Sequence, residues 1–553
     1  MSSSSTAVAY HSGNVYTVAE SQPHAEAFIV SPNGTFVAVG SNTEILELAR
    51  RDCLPTFDLR SRFVMPGIHD AHAHLLMAGL SNLSSVKPGH DVTNENVAAR
   101  LKSPGCQCQC PHEYGDWLIG DLFKIDDFDR SSLDSEFPDT PVALRGGVGH
   151  SMFMNTAALK RAGYDAESGE PNGEKMFRYL RRPDGQLTGE VAERGMEKAL
   201  FTIPKPTRSH AKRCLLSSIQ VLQRAGVTSV QEASANSLAL TGLKELDDAG
   251  ELKMDVQTHI AYRPIWLAEE PEDMIEKTLE DAEKYQSRHI QTNFIKFMLD
   301  GIPMAPYFTH CGLTDSGEVD ESKILIDDLA DLITRFDARG MTCKIHCTGQ
   351  GSARRALDVY EELRKANPNG PKHEVAHCNG VHDVFNKTDF FLRNTPDDYP
   401  RFQKLNVTAE MSPSLLFPIP DIAAPDGLAT WDFAKMIKSG AHVTIGSDYF
   451  NEDPSPMTPC AAILENVMSA MPDSLKDEDG AATRTAAAEA IVRMLTLSGA
   501  EATGRDDISG SIEVGKKANF IMVDRDLSRA EFQGAIVMGT WFEGERVWES
   551  SSE

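Results

Sequence analysis

The sequence predicts an α/β protein built around a (β/α)8 barrel. An apolar run ending in Pro-Gly leads into a His-x-His motif near residue 70, and short β-branched segments alternate with helical stretches beyond position 225. Metal-type side chains stand where those segments end. Strands that alternate with helices are typical of parallel βαβ units, and eight such units close naturally into a barrel.

The opening strand is predicted at residues 64–74, and its end reads His72-Ala73-His74. Side chains at i and i+2 point to the same face of a strand, so the two imidazoles project together and can hold one metal ion. Imidazole suits zinc and neighbouring metals. Asp70 lies on the same face, two residues before His72. The alternative is a surface loop whose paired histidines bind nothing.

Seven more strands are predicted, at residues 227–232, 254–262, 294–299, 342–347, 373–378, 405–411 and 441–448. The active site of such a barrel lies at the carboxyl ends of its strands. The candidate metal ligands at those ends are His72 and His74 on strand 1, Lys296 on strand 4, His346 on strand 5, His377 on strand 6 and Asp448 on strand 8. The alternatives are core histidines with satisfied hydrogen bonds and an aspartate that caps a loop. Agreement among so many strand ends favours a metal centre.

The motifs extend over nearly the whole chain. They are PGIHDAHAH at 66–74, IKFMLDG at 295–301, the strand-end His346 and His377, IGSD at 445–448 and SGSIEVGKKANFIMVD at 509–524. Together they resemble the amidohydrolase superfamily, and more narrowly its amidohydrolase-3 branch of N-substituted formamide deformylases and D-aminoacylase relatives. The resemblance implies that Lys296 is carboxylated and bridges two metal ions. The alternative is a lysine paired with Asp300, which leaves a mononuclear site.

The two ends of the chain both show short strands with turn signals, such as Asn33-Gly34. The resemblance suggests that both ends form one small β-sandwich beside the barrel, and each end alone has too few strands to bury a sheet face. The predicted domains are therefore 1–62 and 504–553 for the two parts of the sandwich, with the barrel at 63–503.

A long insertion at residues 75–209 separates the first two barrel strands. Insertions at the carboxyl face of a barrel usually cover the site. Candidate substrate contacts are His150, Asn155, Glu193 and Tyr307, and Glu232 is a similar case. For His150 and Asn155 the alternative is a turn and a helix cap.

Composition narrows the class of protein. The net charge of −27 over 553 residues argues against nucleic acid or an anionic membrane as a partner. No apolar run reaches the ~20 residues of a membrane span, and no signal peptide is visible. Cytoplasmic localisation and a small-molecule substrate are expected, and a homodimer stays open. The ten cysteines indicate reduced thiols, with Cys106, Cys108 and Cys110 in an exposed loop rather than a metal site.

The predicted function is metal-dependent hydrolysis of a non-peptide carbon–nitrogen bond, in an N-acyl or N-formyl amide. Two divalent ions, zinc foremost, would activate water, and Asp448 would act as the general base. The alternatives are a decarboxylase or lyase on the same scaffold and a non-catalytic binding protein. The sequence departs from the branch near the substrate end, where His346 is followed by Cys-Thr-Gly-Gln and strand 7 ends in AEMSPS. The substrate is therefore left open.

Overall fold

A computed structural model gives the fold. It describes residues 6–89, 91–103, 113–146, 149–165, 175–303, 308–378, 398–413, 431–450, 454, 457–475 and 479–551. The cysteine cluster at 106–110 and Tyr307 lie outside the described residues. The cysteines in the described part of the chain are free thiols, as expected for reduced residues.

The predicted barrel is confirmed. Within the described residues, eight parallel strands form one sheet in sequence order. Barrel strands 1 to 8 are Ile68–Ala73, Val227–Ala235, Asp255–Arg263, Ile290–Met298, Thr342–Cys347, Glu374–His377, Thr408–Met411 and His442–Ile445. A parallel bridge between Ala73 and Tyr449 joins the end of strand 1 to the segment after strand 8. The sheet therefore closes where strand 8 meets strand 1.

The first predicted strand is wrong in one respect, because the structure divides it at Gly67. Phe63–Pro66 belongs to a sheet at the termini, and Ile68–Ala73 begins the barrel. A Cβ atom at Gly67 would lie 2.2 Å from Oγ1 of Thr228, so only glycine lets the chain pass this close to barrel strand 2. The division leaves His72 and His74 at the carboxyl end of barrel strand 1.

Helices surround the barrel strands. The one at Arg208–Arg224 shows why such a segment is helical: Thr207 caps it by accepting a hydrogen bond from the His210 amide, and Leu215 and Leu222 are buried on one face. The others are Leu75–Ser84, Ser237–Asp248, Ile265–Ala268, Glu272–Glu280, Ala282–Tyr285, Leu329–Asp337, Gln350–Ala366, Tyr399–Lys404, Phe433–Lys438, Thr458–Met468, Ala481–Leu495 and Leu497–Ala502, with 3-10 turns at Glu321–Lys323 and Asp473–Leu475. No helix in the described part of the chain combines the length and the hydrophobicity that a membrane span requires.

Both termini build one module, which we call the terminal module. One sheet contains Val8–His11, Ala27–Val30, Phe36–Gly40 and Thr56–Asp58; the other contains Asn14–Tyr16, His24–Ala25, Phe63–Pro66, Phe520–Val523, Val537–Phe542 and Glu545–Glu549. The helix Asn42–Arg51 and the 3-10 turn Leu527–Arg529 accompany them. Phe28 from the first sheet packs 5.0 Å from Phe520 of the second, and Phe520 stacks on Trp541 at 4.8 Å. The two sheets therefore share one aromatic core.

The insertion has a sheet of its own. Its strands are Leu118–Asp121, Val142–Gly146, Ser151–Met154, Phe177–Arg181 and Leu187–Glu193. Short helices at Val97–Lys102, Ser131–Asp134, Thr156–Arg161 and Glu197–Thr202, and a 3-10 turn at Arg194–Met196, accompany them. Leu144 and Phe153 pack with Phe128 in a small apolar core. This sheet brings the start of Ser151–Met154 close to the carboxyl ends of the barrel strands, since His150 packs near His346.

Candidate metal centre

The two histidines of barrel strand 1 project together, as the alternation of a strand requires. Nδ1 of His72 lies 2.6 Å from Oε2 of Glu410, and Nδ1 of His74 lies 2.7 Å from Oγ of Ser234. These contacts leave both Nε2 atoms directed to Asp448, whose Oδ1 is 3.6 Å from His72 and 3.2 Å from His74. The ligand atoms of His72, His74 and Asp448 all lie within 4.8 Å of one another, close enough to share one ion.

Asp448 follows barrel strand 8 in a left-handed conformation, with φ at 52°. Its amide donates a 2.7 Å hydrogen bond to the carbonyl of His72. The preceding Ser447 donates from its amide and its hydroxyl to Asp70, at 2.9 and 2.5 Å. A Cβ atom at Gly446 would lie 2.6 Å from that of His72, so this approach of strand 8 requires glycine. Asp70 thus links strand 1 by hydrogen bonds to the turn that contains Asp448.

Lys296 is buried inside the barrel, with Nζ 3.1 Å from Nε2 of His72. Burial, together with the neighbouring Lys344, lowers the pKa of Lys296 to about 8. The alternative, an ion pair between Lys296 and Asp300, is wrong: the described residues contain no such pair. The Asp300 carboxylate instead accepts hydrogen bonds from the Cys311, Thr348 and Gly349 amides and from the Ser352 hydroxyl. Lys296 therefore faces the histidines rather than a carboxylate of its own loop.

His346 and His377 lie next to each other and near His72. Their ring centroids are 4.5 Å apart, and His377 is 4.6 Å from His72. Burial is the main cause that holds the pKa of both well below the usual value, and Lys296 adds to it. Both imidazoles are therefore neutral near pH 7, the form that binds metals. Nε2 of His346 lies 3.1 Å from the carbonyl of Gly301.

Glu410 is the site residue that the sequence analysis missed. Its carboxylate contacts Nδ1 of His72 and also accepts hydrogen bonds from the His377 amide, at 3.3 Å, and from the Ser412 hydroxyl. Burial raises the pKa of Glu410 to about 7. The ligand atoms of His72, His377 and Glu410 form a second group within 4.8 Å. The available signal was an acidic residue inside a buried strand, at the level of the other ligands.

Glu232 supports the site indirectly, through a residue that contacts one of the candidate ligands. Its carboxylate accepts hydrogen bonds from the amides of Leu75, at 2.5 Å, and Ser234, at 2.9 Å. Ser234 in turn contacts His74. Glu232 therefore orients a histidine and is not placed as a substrate contact.

The insertion candidates divide into two groups. His150 packs 5.8 Å from the His346 ring, and its Nδ1 is 3.0 Å from the buried carboxylate of Glu193. Asn155 is fully buried instead, where it caps the helix Thr156–Arg161 and bonds Val142. The structure thus favours the capping alternative for Asn155, because its amide is used for backbone hydrogen bonds. His150 and Glu193 reach the edge of the site.

The donor set fits a divalent metal. Neutral imidazoles and carboxylates are among the ligands that bind zinc in proteins. Here they converge from barrel strands 1, 6, 7 and 8, and His346 of strand 5 packs against His377. A barrel with such donors at the carboxyl ends of its strands defines a class of enzymes with a metal site. A family model described as the amidohydrolase family matches residues 55–548. The chain therefore belongs to the amidohydrolase family, and it is a hydrolase of carbon–nitrogen bonds.

Relatives match almost the whole chain. The N-substituted formamide deformylase of Arthrobacter pascens is 25% identical over 553 residues, which cover 96% of each chain. Protein LONG AFTER FAR-RED 3 of Arabidopsis thaliana is 22% identical, over 97% of this chain and 90% of its own. An uncharacterized metal-dependent hydrolase from Pyrococcus horikoshii OT3 has a TM-score of 0.69 at 19% identity, over 96% of this chain and 99% of its own. The last likeness shows that the two share a fold.

Proposed function

We propose that the protein is a metal-dependent hydrolase that cleaves the carbon–nitrogen bond of an N-acyl or N-formyl amide. One observation carries the proposal: the Nε2 atoms of His72 and His74 and a carboxylate oxygen of Asp448 converge at distances of 3.2 and 3.6 Å. The similarity to a formamide deformylase over most of both chains supports the bond that is cleaved.

Two zinc ions per chain form part of the proposal. His72, His74 and Asp448 would hold one ion, and His346 and His377 would hold the other. A carboxylated Lys296 would bridge the two, supported by the 3.1 Å between its Nζ and Nε2 of His72 and by a lowered pKa that makes its amine available to CO2. Zinc in such a site polarises a carbonyl and lowers the pKa of a bound water to about 7.

Asp448 is the proposed general base. Its side chain is 10% exposed, so a substrate in the site can reach it, whereas Glu410 is fully buried behind His72. The Asp448 carboxylate takes a proton from the attacking water as the new carbon–oxygen bond forms. It then returns that proton to the departing nitrogen, so that one water and one amide give a carboxylic acid and an amine.

Elemental analysis joined to a hydrolysis screen tests this function. Protein purified without chelator is expected to contain about two zinc ions per chain, and removal of the metal should abolish hydrolysis. The screen covers N-formyl and N-acyl amines, cyclic amides and esters. Protein that carries metal and hydrolyses no amide in the screen would contradict the proposal, and release of CO2 would identify a decarboxylase instead.

A further inference from the structure

A pocket of about 660 Å³ opens beside the candidate metal centre. The insertion supplies most of its wall, through residues 123–129, the strand Ser151–Met154 and the hairpin at 180–183. The barrel contributes Ile302, which follows barrel strand 4. The volume lies within the range of small-molecule sites, about 300–1,000 Å³.

One end of this pocket adjoins the metal ligands. His150 lines the pocket and packs 5.8 Å from the ring of His346. Ile302 lines it too, and the carbonyl of the preceding Gly301 is 3.1 Å from Nε2 of His346. A substrate whose amide lies at the metal centre can therefore extend a substituent into the pocket.

Part of the pocket wall is apolar. Phe128 and Phe153 are buried and meet edge to face, with ring centroids 5.1 Å apart. Leu180 and Ile302 are only partly buried, so their side chains retain surface that a ligand can cover. Covering such surface stabilises a complex by roughly 25 cal/mol per Å² before the cost of association.

Several charged groups of the wall are paired with one another or with the adjoining hairpin. Arg182 bonds Asp129 at 2.6 and 2.7 Å, and Lys124 bonds Asp126 at 2.9 Å. Arg181 donates to a carbonyl of its own hairpin. Four carboxylates face three cations: Asp126, Asp127, Asp129 and Glu190 against Lys124, Arg181 and Arg182. An anionic substituent would be repelled, and any charged one would lose water on entering.

We infer that this pocket selects the substrate and takes an uncharged, apolar substituent of the amide, such as a branched or cyclic alkyl group. The inference rests on the proposed function for the position of the amide. His150 and Ile302 mark the end nearest the cleaved bond, and Leu180 lies in the wall that the substituent covers.

A substrate series tests the inference through ratios of kcat/KM. N-(Cyclohexylmethyl)formamide should exceed N-methylformamide by about 100-fold or more in wild type, because one buried methylene alone can be worth about 10-fold and the ring adds several. N-(3-Aminopropyl)formamide should gain nothing over N-methylformamide. Leu180→Arg should lower the cyclohexylmethyl-to-methyl ratio by at least about 10-fold.

Ile536→Arg is the matched control, since Ile536 is 49% exposed in the terminal module and does not line the pocket. Leu180→Ala is a milder change that should also lower this ratio. It keeps the inference testable if Leu180→Arg fails to fold. Unaltered ratios in folded Leu180 variants, or a preference for the aminopropyl substrate, would overturn the inference.

Binding of cyclohexylmethanol separates this inference from the proposed function, because the alcohol has no amide to hydrolyse. Titration of the metal-loaded protein, followed by NMR, should give a Kd at least about 10-fold weaker in Leu180→Arg than in wild type or Ile536→Arg. Equal affinities in all three would overturn the pocket assignment. If no formamide is hydrolysed but the Kd shifts as expected, the proposed function fails and the apolar pocket stands.

Discussion

The carboxylate of Glu410 on barrel strand 7 lies 2.6 Å from Nδ1 of His72 on strand 1. A neutral imidazole that donates through Nδ1 keeps the lone pair of Nε2 for a metal. The contact therefore fixes the ring of His72 in the orientation that directs Nε2 toward Asp448, at 3.6 Å.

Removing this contact should weaken metal binding. We expect Glu410→Ala to lower zinc affinity by about 10–100-fold, the usual cost of losing a carboxylate behind a histidine ligand, and Glu410→Gln to fall between it and wild type. Competition with a chromogenic chelator measures the affinity. Glu20→Gln, an exposed site in the terminal module, serves as the control. Equal zinc affinity in Glu410→Ala and wild type would show that Glu410 does not orient the ligand.

Lys296 should carry a carbamate in the metal-loaded protein. Lys296→Ala is expected to lose metal, and short carboxylic acids should restore part of the activity by replacing the bridge. Lys296→Arg keeps the positive charge but cannot form the carbamate, and it should not respond to these acids. Crystallographic density for an unmodified amine at full metal occupancy would rule out the bridge.

Lys344 is fully buried next to the candidate metal centre. Its Nζ donates a 2.6 Å hydrogen bond to the carbonyl of Ala71, next to His72, and lies 3.4 Å from the Glu374 carboxylate. Breaking a buried ion pair typically costs 3–5 kcal/mol, so Lys344→Met should lower the free energy of unfolding by about that amount. Urea denaturation measures it, with the exposed Lys435→Met as control. A loss no larger than that of the control would contradict this role.

The same pair predicts a pH dependence. Burial by itself raises the pKa of Glu374, but Lys344 and His259 outweigh it and bring the pKa to about 2. A depressed carboxyl pKa stabilises the fold above the ordinary value of 4.5, and the contribution disappears as pH falls toward 2. The difference in unfolding free energy between wild type and Glu374→Gln should therefore be constant above pH 5 and shrink below it. A difference that grows on acidification would be inconsistent with the depressed pKa.

The terminal module should depend on both ends of the chain. Phe63–Pro66 pairs with Phe520–Val523, and Phe28 packs on Phe520. Deleting residues 1–55 removes three of the four strands in the sheet that covers Phe520 and Trp541, so amides of the C-terminal strands should exchange faster with deuterium. Hydrogen exchange followed by mass spectrometry compares the two proteins. Full protection of residues 520–549 after the deletion would show that the C-terminal strands fold independently.

The sequence predicted the site best where the arrangement depends on residues that are close together in the chain. The two-residue spacing of His72 and His74 determines that they share a strand face, and the positions of His346 and His377 follow from successive βα units. The contact of Glu410 with His72 could not be predicted, because it joins residues 338 positions apart and exists only once the barrel closes. The break at Gly67 likewise depends on its approach to Thr228, which no local pattern shows.

The sequence predicted that the insertion covers the site, but it did not predict that the insertion forms a sheet of its own. Its strands pair out of sequence order, since Ser151–Met154 lies between Val142–Gly146 and Leu187–Glu193. Such long-range pairing is set by packing rather than by local propensity. Asn155 shows the consequence: its cap signal was visible, but only the fold shows that its amide also bonds Val142.

Asp448→Asn, assayed for kcat and metal content together, tests the central claim most directly. Asparagine keeps the shape and an oxygen for the metal but cannot accept the proton of the attacking water. The mutant should retain much of its zinc and lose about 10²–10⁴-fold in kcat, the usual contribution of a general base. Undiminished kcat at full metal occupancy would mean that Asp448 is not the base and would contradict the proposed mechanism.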